Sequence, residues 1–238
     1  MVITLLSSGF LIYFFAAVTP AVILMHYIYR MDKVEKEPGG LLIRCIVGGI
    51  FSALLAIVLE EIGEGLLSLL IGTTSPFFVV FSAFLVVAVA EEFAKFLFLK
   101  RATWRNPNFN FRFDGVVYAV FVSLGFAAFE NVSYVLGYGL SIAPARALLA
   151  VPAHMSFAVF MGVFYGRARL LANEGEMAAA RRSNFTGVLI AVLMHGFYDA
   201  CAMTESRLSA LLFIAFVIIM DIVVFLTVRR ESRTDEPI

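Results

Sequence analysis

Four groups of ionisable residues stand where the surrounding chain is almost wholly apolar. VAVAEEFAKFLFLK places Glu91 and Glu92 side by side with Lys95 one helical turn on. GFAAFENVSYV carries Glu130 and Asn131, VPAHMSF holds His154, and HGFYDA sets His195 and Asp199 four apart. An ionisable group near a bilayer centre costs about 2.5–3.5 kcal/mol on insertion scales, so by default it faces the bundle interior and marks function. Helix positions three and four apart are neighbours, so Lys95 can reach Glu91 or Glu92, and His195 shares a face with Asp199. Adjacent positions diverge, so only one of Glu91 and Glu92 points straight into a common site while the other pairs or supports.

Peptide hydrolysis needs a base to activate water, donors for the oxyanion and an acid for the leaving amine. Glu91 or Glu92 can serve as the base, with Glu130 as a further carboxylate. His195 can stabilise the oxyanion or shuttle protons, and Asp199 can fix its tautomer. A metal version draws on the same residues: Glu92, Glu130, His154 and His195 suit zinc or another divalent ion, whose bound water would serve the same end. No HExxH pattern accompanies them. Carboxylates and histidines in membrane helices also build proton relays, so a transporter or proton pathway is the competing reading.

The elements that must position these groups are membrane helices. Of 238 residues, 61% are hydrophobic and only 15% charged, against about 25% charged in ordinary globular chains. Apolar runs long enough to cross a bilayer, about 20 residues, lie near 3–29, 40–60, 77–99, 114–136, 146–168, 185–203 and 208–228. The sequence predicts an all-α bundle of about seven spans, forming a single membrane domain over residues 1–238. The first run lacks a basic leader and a cleavage site, and reads as a retained helix. Fourteen of the eighteen basic residues fall in alternate loops. The positive-inside rule then puts the amino terminus outside and the carboxyl terminus in the cytoplasm.

Formal net charge is zero, which gives no basic field for nucleic acid. Cys45 and Cys201 lie in apolar runs and read as buried thiols. Glu60, Glu61 and Glu64 are expected to close the second span in solvent, and Arg44 to snorkel. Asp221 has no partner legible in the sequence. Gly162 and Gly166 have the spacing of a close helix contact. By simple rise, Glu91 and Glu92 fall nearer the cytoplasmic end of their span, and Glu130 and Asp199 nearer the outer end. One site therefore demands tilted, offset or broken helices.

In order and spacing, these motifs resemble the PrsW family of intramembrane proteases, within the wider group that contains the CAAX prenyl proteases. The family's EExxK element corresponds to Glu91, Glu92 and Lys95, its FxxxE element to Phe126 and Glu130, and its HxxxD element to His195 and Asp199. His154 matches a further family histidine, and YRMDKVEKEP, with Arg30, Asp32, Glu37 and Pro38, resembles the family's first cytoplasmic loop. The resemblance implies a protease of a bacterial or archaeal cell membrane acting on a membrane-anchored protein. Relatives include a site-1 protease that cuts an anti-sigma factor.

Overall fold

The computed structural model describes residues 8–238, with side chains from Phe10 onward. The expected start of the first span at residue 3 lies outside the described residues. The chain forms seven long helical segments: α1 (Ser8–Met31), α2 (Gly39–Ile71), α3 (residues 78–103), α4 (Asp114–Tyr138), α5 (Leu140–Asn173), α6 (Met177–Met203) and α7 (Arg207–Arg233). Six are long and apolar enough to cross a membrane. The exception is α3, which carries Glu91, Glu92 and Lys95 and is divided by a π turn.

The two largest departures from the expected boundaries have physical reasons. The second span does not stop at Glu60. The apolar stretch after Gly65 continues the helix to Ile71, where Gly72 takes a positive φ of 74° and its N–H closes back on Ser68. Glu60, Glu61 and Glu64 therefore lie within the helix, and Glu64 accepts a hydrogen bond from Ser82 of α3. The sixth segment starts at Met177, eight residues before its apolar run, because the Gly175 turn leads directly into an amphipathic helical start.

The centre of the bundle is α4, buried continuously from Phe113 to Ala127 and packed against α1, α2, α3 and α5. Lipid replaces water around such a bundle, so helices associate through close packing, and small residues let backbones approach. Gly49 of α2 and Gly125 of α4 meet in this way. A Cβ on Gly125 would lie 2.4 Å from the Ile46 carbonyl oxygen, and one on Gly49 would lie 2.0 Å from that of Val122. Gly162 and Gly166 perform the same task against Gly115 and Arg112. Gly125→Ala should lower stability by about 1–3 kcal/mol, the usual cost of overpacking, and a thermal melt in detergent followed by Trp104 fluorescence would show it.

At the end of the bundle that holds residues 32–38 and 104–113, carboxylates are buried together. Glu37 accepts a hydrogen bond from Tyr118, and Asp114 Oδ2 accepts from the N–H groups of Asn110 and Phe111 at 3.0 and 2.7 Å. The segment after α7 pairs with this loop: Ile238 N–H donates to Asn110 O, and Arg112 meets Glu236 at 2.5 Å. Asp32 is only 1% exposed, and neither carboxylate oxygen has a partner among the described residues.

Burial, reinforced by the nearby carboxylates Asp235 and Glu35 and opposed by Lys36, pushes Asp32 up to about 6. A raised carboxyl favours the folded protein below its ordinary value near 3.8, and that contribution is lost as pH rises through about 6. Asp32→Asn should therefore melt a few degrees above the wild type at pH 8 and level with it near pH 4.

Candidate active site

The site begins with a fault in α3. Residues Ser82–Val87 form a π turn, in which the Ala88 N–H reaches back five residues to Ala83 O. Such bulges are frequent at functional sites. Gly196 of α6 packs directly on it, since a Cβ there would lie 2.5 Å from the Phe84 ring. This contact brings His195, next in the chain, against the face of α3 that carries Glu91, Glu92 and Lys95.

Lys95 is the hub. Its ammonium donates to Glu91 Oε2 at 2.9 Å, Glu92 Oε1 at 2.8 Å and His154 Nδ1 at 3.1 Å, using all three N–H bonds. The Phe126 ring lies 4.0 Å from the same nitrogen. Because an ammonium can only donate, His154 Nδ1 must accept, which leaves Nε2 to donate to Glu130 Oε2 at 2.9 Å. His195 has a carboxylate at each ring nitrogen: Glu92 Oε1 lies 2.9 Å from Nδ1 and Asp199 Oδ2 lies 3.2 Å from Nε2. The His195 ring stacks on Phe157, with centroids 4.9 Å apart.

The structure thus gathers Glu91, Glu92, Lys95, Glu130, His154, His195 and Asp199 into one bonded cluster drawn from four helices. Asn131 lies beside it, donating to Ala17 O at 3.2 Å. The apparent offset in depth disappears for two reasons. Glu91 sits mid-segment once α3 is seen to run to Thr103, and both α3 and α5 are broken by π turns. In α5 the turn is Arg146–Ala150, immediately before Pro152, whose ring nitrogen has no hydrogen to continue the α-helical ladder.

That second turn supplies a residue that hydropathy assigns to an outer loop. Arg146 donates from Nε to Asn131 Oδ1 at 2.6 Å and from Nη2 to Glu130 Oε2 at 2.8 Å, and lies over the Tyr134 ring. Pro152, close behind Arg146, is the sequence feature that could have signalled the irregular turn. Asp221 remains apart from the cluster, near Ser156 Oγ at 3.5 Å.

A cavity of about 790 Å³ opens on the cluster. Glu91, Glu130, His154, His195 and Asp199 line it, whereas Glu92 is wholly buried behind them. Tyr134, Ala145 and the turn after α6, Thr204 to Ser206, also line the cavity. A membrane-embedded cavity with convergent carboxylates and histidines suits hydrolysis of a bond delivered in the bilayer. The model of the PrsW family of intramembrane metalloproteases matches residues 37–227.

The chain belongs to the PrsW family. It is 32% identical over 217 residues to Protease PrsW of Clostridioides difficile, covering 87% of this chain and 86% of that one. It is also 32% identical over 194 residues to Protease PrsW of Geobacillus kaustophilus, covering 81% of this chain and 80% of that one. The same identity holds over 188 residues with Protease PrsW of Bacillus subtilis, covering 77% and 79%. No solved structure matches the chain. The protein is an intramembrane peptidase of the cell membrane that acts on a membrane-protein substrate, and the transporter alternative is set aside.

Membership of a metalloprotease family raises the question of a metal. Among the described residues, Glu91, Glu92 and His154 bring donor atoms within 4.8 Å of one another, a group that could hold one. Their chemistry suits zinc. Of the four donors expected from the sequence, this group includes Glu92 and His154, and the other two, His195 and Glu130, are bonded to them. The Lys95 ammonium is bonded to one donor atom of each of these three residues, Glu91 Oε2, Glu92 Oε1 and His154 Nδ1, and occupies the room among them. A metal at about 2.0–2.2 Å from nitrogen and oxygen does not fit there while Lys95 stays, so no catalytic step is drawn through one.

Proposed function

We propose that the protein cuts a single-pass membrane protein, such as an anti-sigma-factor-like protein, at a bond that enters through the outward-opening cavity, using water activated by Glu91. The observation that carries this reading is the cavity itself. Its lining includes Glu91 but not Glu92, together with the turn from Thr204 to Ser206, which the positive-inside rule assigns to the outer face.

Glu91 takes the proton from water while Lys95 holds its other oxygen. Glu92 has no access to the cavity and acts as a positioning residue for Lys95 and His195. The His195 Nε2–H, in its longer contact with Asp199, turns to the oxyanion as the carbonyl becomes tetrahedral, and Glu91 returns its proton to the leaving amine. Glu130 and His154 hold the far side of Lys95. Arg146 orients Glu130 and adds positive charge at the cavity wall.

The decisive test is cleavage of a tagged single-pass substrate in liposomes, with the cut site read by mass spectrometry. A cut in the outer half of the substrate's span is expected, and a cut on the cytoplasmic flank would overturn the outward-opening reading. Arg146→Ala should lower kcat by about 10²-fold through loss of orientation with little change in KM, and Arg146→Lys should restore part of it. A change in KM alone would assign Arg146 to substrate binding.

A further inference from the structure

The charged groups of the cluster that line the cavity are answered by one another. Glu91 and Glu92 share Lys95, Glu130 takes Arg146 and His154, and Asp199 faces His195. Glu60 of α2 lines the same cavity with no hydrogen-bond or ion-pair partner among the described residues. Residues 39–60 extend about 32 Å at 1.5 Å per residue, against a hydrocarbon core about 30 Å thick. Glu60 therefore stands at the far boundary of the apolar slab, in the cavity wall that also includes Glu205.

We infer that Glu60 is a specificity residue that binds a Lys or Arg side chain on the outer flank of the substrate's transmembrane segment. A partly buried carboxylate in the cavity wall at the slab boundary, with no partner among the described residues, is open to a charge brought by the substrate. Of the carboxylates in the lining, Glu91, Glu130 and Asp199 already face Lys95, Arg146 and His195, so Glu60 and Glu205 are left for an incoming cation to meet. A long basic side chain can lay its stem along the apolar wall and bring its charge to the carboxylate. Outer flanks of membrane spans seldom carry Lys or Arg, whereas cytoplasmic flanks commonly do. A basic residue on the outer flank thus separates a substrate from most other single-pass proteins.

The inference rests on the cavity being the substrate entrance. Its test uses single-pass substrates that differ only in placing Lys, Arg, Gln or Glu at successive outer-flank positions, cleaved in liposomes by the wild type, Glu60→Gln and Glu60→Lys. At one position the wild type should favour Lys and Arg over Gln by about tenfold in kcat/KM. Glu60→Gln should erase the difference, and Glu60→Lys should shift preference to Glu.

In parallel, binding of the same substrates to Glu91→Gln protein in nanodiscs should show the same order in Kd. Cleavage with no basic preference, or a preference that survives in Glu60→Gln, overturns the role of Glu60 and leaves the proteolytic reading intact. Charge-dependent binding that requires Glu60, without cleavage by the wild type, overturns the proteolytic reading and leaves Glu60 its role.

Discussion

Glu91→Gln protein should fold, enter the membrane and cleave a single-pass substrate about 10²–10⁴ times more slowly than the wild type, the range expected when a general base is removed. The amide keeps the shape of the side chain and can still meet Lys95, so the loss falls on proton transfer. Glu92→Gln should behave differently. Glu92 is wholly buried and holds Lys95 and His195, so its replacement should disturb stability and the pH profile together. Full activity in Glu91→Gln, with Glu92→Gln inactive but normally folded, would reverse the roles assigned to the two carboxylates. His195→Ala removes the group set to face the oxyanion and should abolish detectable turnover while the melt stays cooperative.

Lys95→Met should be among the most destabilising single changes in the chain. Removing one partner of a buried ion pair leaves the other charge stranded, at a cost of about 3–5 kcal/mol, and here two carboxylates lose the same partner. A melt followed by Trp104 fluorescence should show the loss, and adding Glu92→Gln should recover part of the stability without recovering cleavage. The variant also clears the space among Glu91 Oε2, Glu92 Oε1 and His154 Nδ1, so it should take up a divalent metal at the position that the Lys95 ammonium fills in the wild type. Elemental analysis of purified protein would measure this. One equivalent of metal in the wild type, whose removal stops cleavage, would overturn the water-activation scheme. A wild-type melt in Lys95→Met would show that the buried hub does not hold the site together.

Helical spacing made much of the site legible in advance. Lys95 with Glu91 and Glu92, and His195 with Asp199, follow from three- and four-residue intervals in apolar runs, and the structure bonds each pair. The same reasoning limited the adjacent glutamates to one facing residue but could not choose between them. The choice depends on how α6 packs against the π turn, a contact between segments about a hundred residues apart. Arg146 and Glu60 escaped for a related reason. Hydropathy averages over a window and places both at the edges of spans, yet the Arg146–Ala150 turn and the extension of α2 to Ile71 carry them to the cavity wall. The seven-segment bundle was readable because long apolar runs leave few alternatives in a bilayer.

The insufficiency of α3 as an apolar span bears on how the protein is made. A segment with two carboxylates and an ammonium enters a bilayer poorly by itself, but its ion pairs join residues three and four apart on one helix. They can close before any other helix arrives, so α3 carries its own counterion into the membrane. The remaining bonds must wait for later segments: Lys95 and Glu130 for His154 of α5, and Glu92 for His195 of α6. On the proposed scheme, which needs His195, the nascent chain gains a competent site only once the sixth helix is in place.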